Sequence, residues 1–185
     1  MENNNIGEID LDKKVYAFEL DNVLFPRQDY LLQVYYLFGS FYEFTEGIVK
    51  ANDLAQFMKK IYLYHSEDKV FDAAKEVFGI DEKYRENFER LKANAQIPLR
   101  LELYDNAKVE LKKLFEANKQ VAILTKGNPV EQLNKLRFIE WGDLIVYKDK
   151  IKIYFVDELR HQEIDVIAYL ADDFAVEQEE VLIIN

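Results

Sequence analysis

The chain has 185 residues, a length that suits one ordinary domain or one domain with a small insertion. Its 24 basic and 35 acidic side chains give a net charge of −11, which argues against partners such as nucleic acid or an anionic membrane surface. Because the sequence has no cysteine and only two histidines, His65 and His161, any metal chemistry must rest on carboxylates.

The N-terminal segment carries no targeting signal. Its sequence, MENNNIGEIDLDKK, is polar and acidic where a secretory signal is basic and then apolar. No apolar run in the chain approaches the roughly 18 residues that a membrane-spanning helix needs. We therefore expect a cytoplasmic protein with no membrane-bound segment.

The first predicted strand is the apolar run from Val15 to Leu20, whose sequence VYAFEL fits a strand that is buried on both faces. From Asp29 to about Ala95 the apolar residues instead recur every three or four positions, which predicts a block of about four helices. Within this block Asp53 is a candidate N-terminal cap and Gly79 fits the end of a helix. The block interrupts an alternation of strands and helices.

The alternation resumes after Pro98. Helices are predicted over residues 107–117, from Pro129 onward with Leu133 and Leu136 facing inward, and over 162–174. Strands are predicted at Gln120–Leu124, Asp143–Tyr147, Ile151–Val156 and Val181–Ile184, with the second and third of these paired. This order predicts an α/β fold, with a parallel sheet covered by helices on both faces.

Two acidic residues end the first predicted strand. Glu19 and Asp21 are two positions apart, so both carboxylates point to one side and can share a hard cation such as Mg²⁺. The alternative is an ordinary turn at Asp21 and Asn22, with a structural partner for Glu19. Ligands of such sheets bind beyond the carboxyl ends of the strands, so these carboxylates form the first candidate site.

The segment from Thr125 to Pro129 follows a buried strand and forms the second candidate site. It offers the Thr125 hydroxyl, the Lys126 ammonium and, at Gly127 and Asn128, the N–H groups of a helix N-terminus. Asn128 suits the helix cap and Pro129 the first helical position. By itself the segment is an ordinary strand-to-helix turn. Together with the carboxylates it matches phosphoryl transfer, in which a metal-held carboxylate lies opposite donors for the phosphate oxygens.

These segments resemble motifs of the haloacid dehalogenase-like (HAD) hydrolase superfamily. VYAFELDNVLFP resembles the first motif, AILTKGNPVEQLNKL resembles the second, and IPLRLELYDNAKVELKKL is similar to the stretch that leads into the second. The resemblance implies a parallel-sheet, Rossmann-like core at residues 1–28 and 97–185, with a helical cap at 29–96 inserted after the first strand. It also implies a Mg²⁺-dependent phosphatase for a small phosphorylated molecule, with Glu19 and Asp21 as catalytic residues and metal ligands and with Thr125, Lys126, Gly127 and Asn128 as phosphate-binding residues.

The sequence departs from the family motifs where the chemistry is most demanding. The family places an aspartate at the attacking position, and the additional methylene of Glu19 displaces the carboxylate by about 1 Å, which can cost about a hundredfold in rate. The third motif implies a lysine near His161 and Arg160, so Lys126 or Lys135 would have to replace it. The fourth implies an acidic metal ligand after the last strand, where the sequence reaches Asn185.

Three functions are consistent with these motifs. We favour a catalytically weak or inactive relative of the phosphatases that still binds a metal ion or an anion, because three of the four motifs are altered or absent. The first alternative is an active phosphatase on a small phosphorylated metabolite, such as a nucleotide, with Glu19 as the nucleophile. The second is a non-catalytic binding or structural protein.

Overall fold

The structure is a computed structural model that describes residues 6–48 and 50–185. The start of the N-terminal segment, on which the absence of a signal was argued, lies outside the described residues. The strands of the described chain are β1 (Val15–Glu19), β2 (Leu101–Glu102), β3 (Gln120–Thr125), β4 (Ile139–Glu140), β5 (Lys152–Phe155) and β6 (Val181–Ile184). Its α-helices are α1 (Arg27–Glu46), α2 (Ala51–Tyr64), α3 (Val70–Phe78), α4 (Arg85–Asn94), α5 (Asp105–Glu116), α6 (Pro129–Phe138), α7 (Val156–His161) and α8 (Val166–Phe174).

A four-stranded parallel sheet forms the centre of the fold, in the order β5-β3-β1-β6. One of its two central strands, β1, is buried on both faces, as its almost continuously apolar sequence predicts. Ala17 lies opposite Ala122 of β3 and Ile183 of β6 in the register of the sheet. The parallel α/β fold predicted from the sequence is therefore confirmed.

One apolar cluster joins the sheet to α8. The alanines Ala17 and Ala122 of the two central strands belong to it, together with Leu170 and Ala171 of α8. The helix α5 contacts β3. None of the helices in the described ranges combines the length and the apolar character that a bilayer crossing requires.

A polar cluster ties β5 to α8. The Asp173 carboxylate accepts hydrogen bonds from the Lys152 ammonium, at 2.7 Å, and from the Tyr154 hydroxyl, at 2.5 Å. These bonds lower the pKa of Asp173. Burial, followed by the bond to this carboxylate, raises the pKa of Tyr154. At neutral pH the Tyr154 hydroxyl therefore keeps its proton and donates it in a hydrogen bond to the ionised Asp173 carboxylate.

The chain divides into two compact units. The first, called the α/β unit here, consists of Met1–Arg27, described from Ile6, with Leu101–Gln132 and Ile139–Asn185, and it holds the four-stranded sheet. The second, called the helical unit, consists of Gln28–Arg100 with Leu133–Phe138. The helical unit holds nearly all of α1 and the whole of α2, α3 and α4, so the predicted block of four helices is present.

Aromatic side chains and one glycine determine the packing of the helical unit. The rings of Phe38, Phe71 and Phe88 lie 5.2–6.0 Å apart between their centroids. Gly39 of α1 lies so close to α2 that a Cβ atom there would be 2.5 Å from the Ala51 carbonyl oxygen. Gly79 ends α3 in the left-handed conformation, with φ of +68°, as predicted.

The strand predicted at Asp143–Tyr147 is wrong, because residues Gly142–Lys150 form a 3₁₀ helix. Of this apolar run only Leu144 is buried, and Val146 is 71% exposed. A short apolar run fits a strand or a helical turn equally well, and the edge beside β3 is taken by β5. Residues 152–155 do form a strand, but they pair with β3 rather than with 143–147.

Two smaller predictions about helices are wrong, and a third helix is confirmed with a later start. The helix predicted over 162–174 begins at Val166, because Asp165 caps it by accepting a hydrogen bond of 2.8 Å from the Ala168 N–H group. Asp53 lies in the first turn of α2, after a cap position at Lys50. Leu133 of α6 is exposed, whereas Leu136 is buried as expected.

Candidate active site at the carboxyl edge of the sheet

The strands β1 and β3 bring the two groups of candidate residues to one edge of the sheet. Glu19, the last residue of β1, pairs in register with Leu124 of β3. The Leu20 N–H group then donates a hydrogen bond of 3.0 Å to the Leu124 carbonyl, so the two chains leave the sheet side by side. Asp21 therefore follows β1 at the same edge where Lys126 follows β3.

A tight turn after β1 places Arg27 beside Asp21. Asn22 has a φ of +63°, a left-handed conformation that asparagine adopts more readily than most residues. Its side-chain oxygen accepts a hydrogen bond of 3.0 Å from the Arg27 N–H group, at the first residue of α1. The turn thus fixes the backbone from which the Arg27 side chain reaches back to the edge of the sheet.

The Glu19 carboxylate forms an ion pair with the Lys126 ammonium group. The Glu19 side chain is 23% exposed and that of Lys126 is 45% exposed, so the pair lies at the surface of the edge. The family resemblance implies different roles for these two residues, attack for Glu19 and phosphate binding for Lys126, and they are bonded to each other. Of the lysines considered for the third motif, Lys126 is the one that lies on this carboxylate.

Asp21 forms an ion pair with the Arg27 guanidinium group. The same guanidinium lies 3.1 Å from the Glu131 carboxylate, measured from Nη2 to Oε1. Gln132 donates a further hydrogen bond, of 3.4 Å, from Nε2 to Asp21 Oδ2. Arg27 thus bridges two carboxylates, of which Glu131 is buried and Asp21 is only 20% exposed.

Three donors of the segment 125–130 have acceptors within the protein. The Thr125 hydroxyl is buried and donates to the Tyr154 carbonyl at 3.2 Å. The Gly127 N–H group donates to Asp157 Oδ2 at 2.7 Å. Asn128 caps α6, as predicted, by accepting a hydrogen bond of 2.9 Å from the N–H group of Val130. An incoming anion would have to displace these acceptors.

The other residues considered for the third and fourth motifs lie elsewhere. His161 ends α7 and is exposed, and so is the adjacent Arg160. Lys135 is fully buried and belongs to the helical unit, where its ammonium group lies 5.3 Å from the centre of the Tyr30 ring. Asn185 is exposed directly after β6.

The oxygen donors at this edge do not fit a resident Mg²⁺ ion. Magnesium requires about six oxygen ligands in nearly octahedral geometry. No group of three or more Asp, Glu or His side chains that could hold a metal ion occurs within residues 6–48 and 50–185. Glu19 and Asp21 also direct carboxylate oxygens to Lys126 and Arg27, so a metal ion would compete with both cations.

Sequence reasoning missed Arg27 and Asp157. Arg27 lies six positions after Asp21 and beyond a proline, so only the turn at Asn22 reveals that the two side chains meet. Asp157 lies in the first turn of α7, directly after β5. The rule that strand ends carry the functional residues would have indicated Asp157 if β5 had been placed beside β3.

Comparisons with known proteins bear on the fold. No protein-family model and no curated protein matches the chain. Among solved structures, the L-2-haloacid dehalogenase from Xanthobacter autotrophicus is similar to it at a TM-score of 0.50 and 16% identity, over 92% of this chain and 69% of that enzyme. A haloacid dehalogenase-like hydrolase from Xanthomonas campestris aligns at a TM-score of 0.49 and 14% identity, over 94% of this chain and 72% of that protein. At such identity the similarity to the Xanthobacter enzyme shows the HAD-like fold and leaves the activity open.

Proposed function

We propose that this protein is a weak or inactive relative of the Mg²⁺-dependent small-molecule phosphatases that share its HAD-like fold. One observation carries the proposal: both carboxylates of the candidate active site are paired with cations of the chain itself, Glu19 with Lys126 and Asp21 with Arg27. A catalytic group must reach the reacting atom when substrate binds, and these two groups are held by other partners.

The pairing of Glu19 opposes its use as a nucleophile. A carboxylate attacks phosphorus through an oxygen lone pair that points along the line of the breaking bond. In this protein Glu19 Oε1 accepts a hydrogen bond from Lys126, so a phosphate would have to separate the pair before attack. The longer glutamate side chain adds a displacement of about 1 Å, which can cost about a hundredfold in rate.

Asp21 is restrained in a similar way. An acid–base group must pass a proton to the leaving oxygen or take one from water. Its carboxylate accepts hydrogen bonds from Arg27 and from Gln132. Proton transfer through Asp21 therefore requires that these bonds first break, which disfavours the second chemical role.

The ligand class that we propose is a small phosphorylated molecule, bound weakly. Thr125, Lys126 and Gly127 would hold its phosphate, and each of them donates a hydrogen bond to an acceptor of the protein. Binding must then exceed the free energy of these internal bonds. The net charge of −11 makes nucleic acid and anionic membranes unsuitable partners, and we retain a cytoplasmic location as part of the proposal.

Hydrolysis of a generic phosphomonoester, p-nitrophenyl phosphate, tests the proposal on the full chain in the presence of Mg²⁺. We expect wild-type protein to remain at the buffer background. A Glu19→Asp variant shortens the side chain and weakens its pairing with Lys126, so we expect its rate to exceed that of wild type by about tenfold or more. The increase would show that the scaffold is intact.

Glu102→Asp provides a matched control for this variant. Glu102 also ends a strand, β2, and also pairs with a lysine, Lys108, but it belongs to the separate two-stranded sheet of β2 and β4. Its rate should equal that of wild type. Wild-type hydrolysis well above background, lost in Glu19→Gln and kept in the Glu102 variant, would instead establish an active phosphatase with Glu19 as the nucleophile and would refute our proposal.

A further inference from the structure

The helical unit contains a cavity of about 470 Å³. Its described lining consists of one residue of α1 and five of α4, which are Phe41, Asn87, Arg90, Leu91, Ala93 and Asn94. Cavities of about 300–1,000 Å³ are typical of small-molecule sites, which combine apolar walls with a few converging polar groups. The lining includes none of the residues at the carboxyl edge of the sheet, so the candidate active site does not account for this cavity.

The helical period places the α4 part of the lining on one side of the helix. Asn87, Leu91 and Asn94 are separated by four and then three positions, so they form one stripe, with Arg90 beside it. Phe88 of the same helix instead packs among the aromatic rings of the core of the unit. The helix therefore turns one side to the core and another to the cavity.

The polar side chains of this stripe have no partner within the protein. Among residues 6–48 and 50–185, the Arg90 guanidinium forms no ion pair or hydrogen bond, and the same is true of the amides of Asn87 and Asn94. By contrast, Arg85 and Lys92 of the same helix are both paired with acidic side chains. Asparagine is also a poor former of helix interiors. These groups are therefore available to a ligand.

Phe41 supplies an aromatic wall whose position is fixed by its neighbours. Its ring centroid lies 5.9 Å from that of Tyr84, at an interplanar angle of 78°, and 6.3 Å from that of Phe38. The residue is half-buried, so part of it packs within the unit while it also lines the cavity. Aromatic rings in proteins pair favourably with other rings in offset-stacked or edge-to-face geometry. A planar apolar ligand can bind at this wall without moving the helices.

The charge of the helical unit permits an anion to bind there. The unit contains 12 acidic and 12 basic residues and has no net charge, whereas the α/β unit is strongly acidic. Arg90 is the one charged residue of the described lining, so the cavity offers a single positive charge. A guanidinium presents a planar fork of donors that matches a carboxylate. The complementary ligand is therefore a monoanion with an apolar body.

We infer that this cavity binds a small planar aromatic carboxylate, with its ring against Phe41 and Leu91 and its carboxylate on Arg90. Asn87 and Asn94 lie about one helical turn before and after Arg90, so their amides can bind further polar atoms of the ligand. The inference goes beyond the proposed function, because it concerns a second site formed by residues of the helical unit.

Titration of the full chain with 2-naphthoate, followed by two-dimensional NMR spectra of the backbone amides, tests this inference. We expect the largest shifts of amide signals in α1 and α4, with a Kd of about 1 mM or lower. The neutral analogue naphthalene-2-methanol has the same ring without the charge. We expect its Kd to be about tenfold higher, because it loses the charge-assisted hydrogen bonds to Arg90. This comparison requires no variant.

Arg90→Gln tests the same charge from the side of the protein. Because Arg90 is exposed and has no ion pair within the described chain, we expect an unchanged Tm. The Kd of 2-naphthoate should rise about tenfold, and that of the alcohol should stay within about twofold. Arg100→Gln is the matched control, since it removes an exposed arginine of the helical unit that does not line the cavity. It should leave both Kd values unchanged.

Phe41→Leu tests the aromatic wall. The variant keeps an apolar side chain and removes the ring, so both ligands should bind about threefold or more weakly. The acid should still bind more tightly than the alcohol, because Arg90 is retained.

Four results would overturn the inference. They are the absence of shifts in α1 and α4 at about 5 mM 2-naphthoate, shifts confined to the α/β unit, equal Kd values for the acid and the alcohol, and an unchanged Kd of the acid in Arg90→Gln. None of these measurements follows hydrolysis, and no residue of the carboxyl edge is altered. A failure here is therefore distinct from a failure of the proposed weak activity, which the phosphomonoester assay decides.

Discussion

Replacing Gly39 by alanine tests the packing of α1 against α2 in the helical unit. A Cβ atom at this buried position would lie 2.5 Å from the Ala51 carbonyl oxygen, about 0.9 Å inside the 3.4 Å at which ordinary contact begins. Overpacking costs about 1–3 kcal/mol, and we take about 3 because the obstacle is backbone and cannot rotate away. Alanine gains about 1 kcal/mol over glycine inside a helix. The net loss is about 2 kcal/mol, which lowers Tm by about 4–8 °C.

Thermal unfolding followed by circular dichroism at the helical band measures this loss. Ser40→Ala, at the next position of the same helix, is the matched control, since it also introduces a good helix former but at a half-buried site. We expect its Tm to equal or slightly exceed that of wild type. A Gly39→Ala protein as stable as wild type, or more stable, would show that helix propensity outweighs the close approach and would refute the reasoning.

Two other variants test polar groups by urea unfolding. Tyr30→Phe removes the buried hydroxyl that donates to a carbonyl of α4 and accepts from Asn134. We expect the free energy of unfolding to fall by about 1–3 kcal/mol. Tyr36→Phe, at an exposed ring, is the control and should have little effect. Asp173→Asn tests the lowered pKa of this carboxyl. Because the folded pKa lies below the unfolded one, the stabilisation is present at neutral pH and disappears as the pH falls below about 4. Asp173→Asn should therefore lose less stability than wild type between pH 5 and 3. The control variant Asp172→Asn should lose as much stability as wild type over this range. Equal losses in all three proteins would contradict the role of Asp173 in the acid sensitivity.

The parts of the fold that the sequence predicts are those in which local pattern and tertiary context agree. The runs that form β1, β3 and β6 are apolar at nearly every position, and each becomes a strand of the main sheet. Asn128 begins α6 because its side chain accepts a backbone hydrogen bond. Gly79 ends α3 because a glycine, without a side chain, readily adopts the left-handed conformation. The run DLIVY has a strand-like composition, yet the place next to β3 goes to residues 152–155. Competition between segments for one sheet edge cannot be predicted from either segment alone.

The candidate site is predicted only as far as strand ends determine it. Glu19, Asp21 and Thr125 follow from the rule that ligands bind at the carboxyl edge of a parallel sheet. The partners of these residues depend on a left-handed turn at Asn22 and on a strand order that periodicity does not reveal. A motif comparison therefore identifies the residues that could react, whereas the ion pairs that restrain them appear only in three dimensions.

The net charge of the protein is concentrated in the unit that holds these ion pairs. The α/β unit contains 23 of the 35 acidic residues and 12 of the 24 basic ones, so it carries the whole net charge of −11, while the helical unit is neutral. A phosphate that approaches the edge of the sheet meets this negative field over a distance of about 10 Å at moderate ionic strength. Arg27 and Lys126, two cations at that edge, are already bonded to carboxylates. The same field opposes the approach of an anion, which agrees with the weak phosphate binding that we propose.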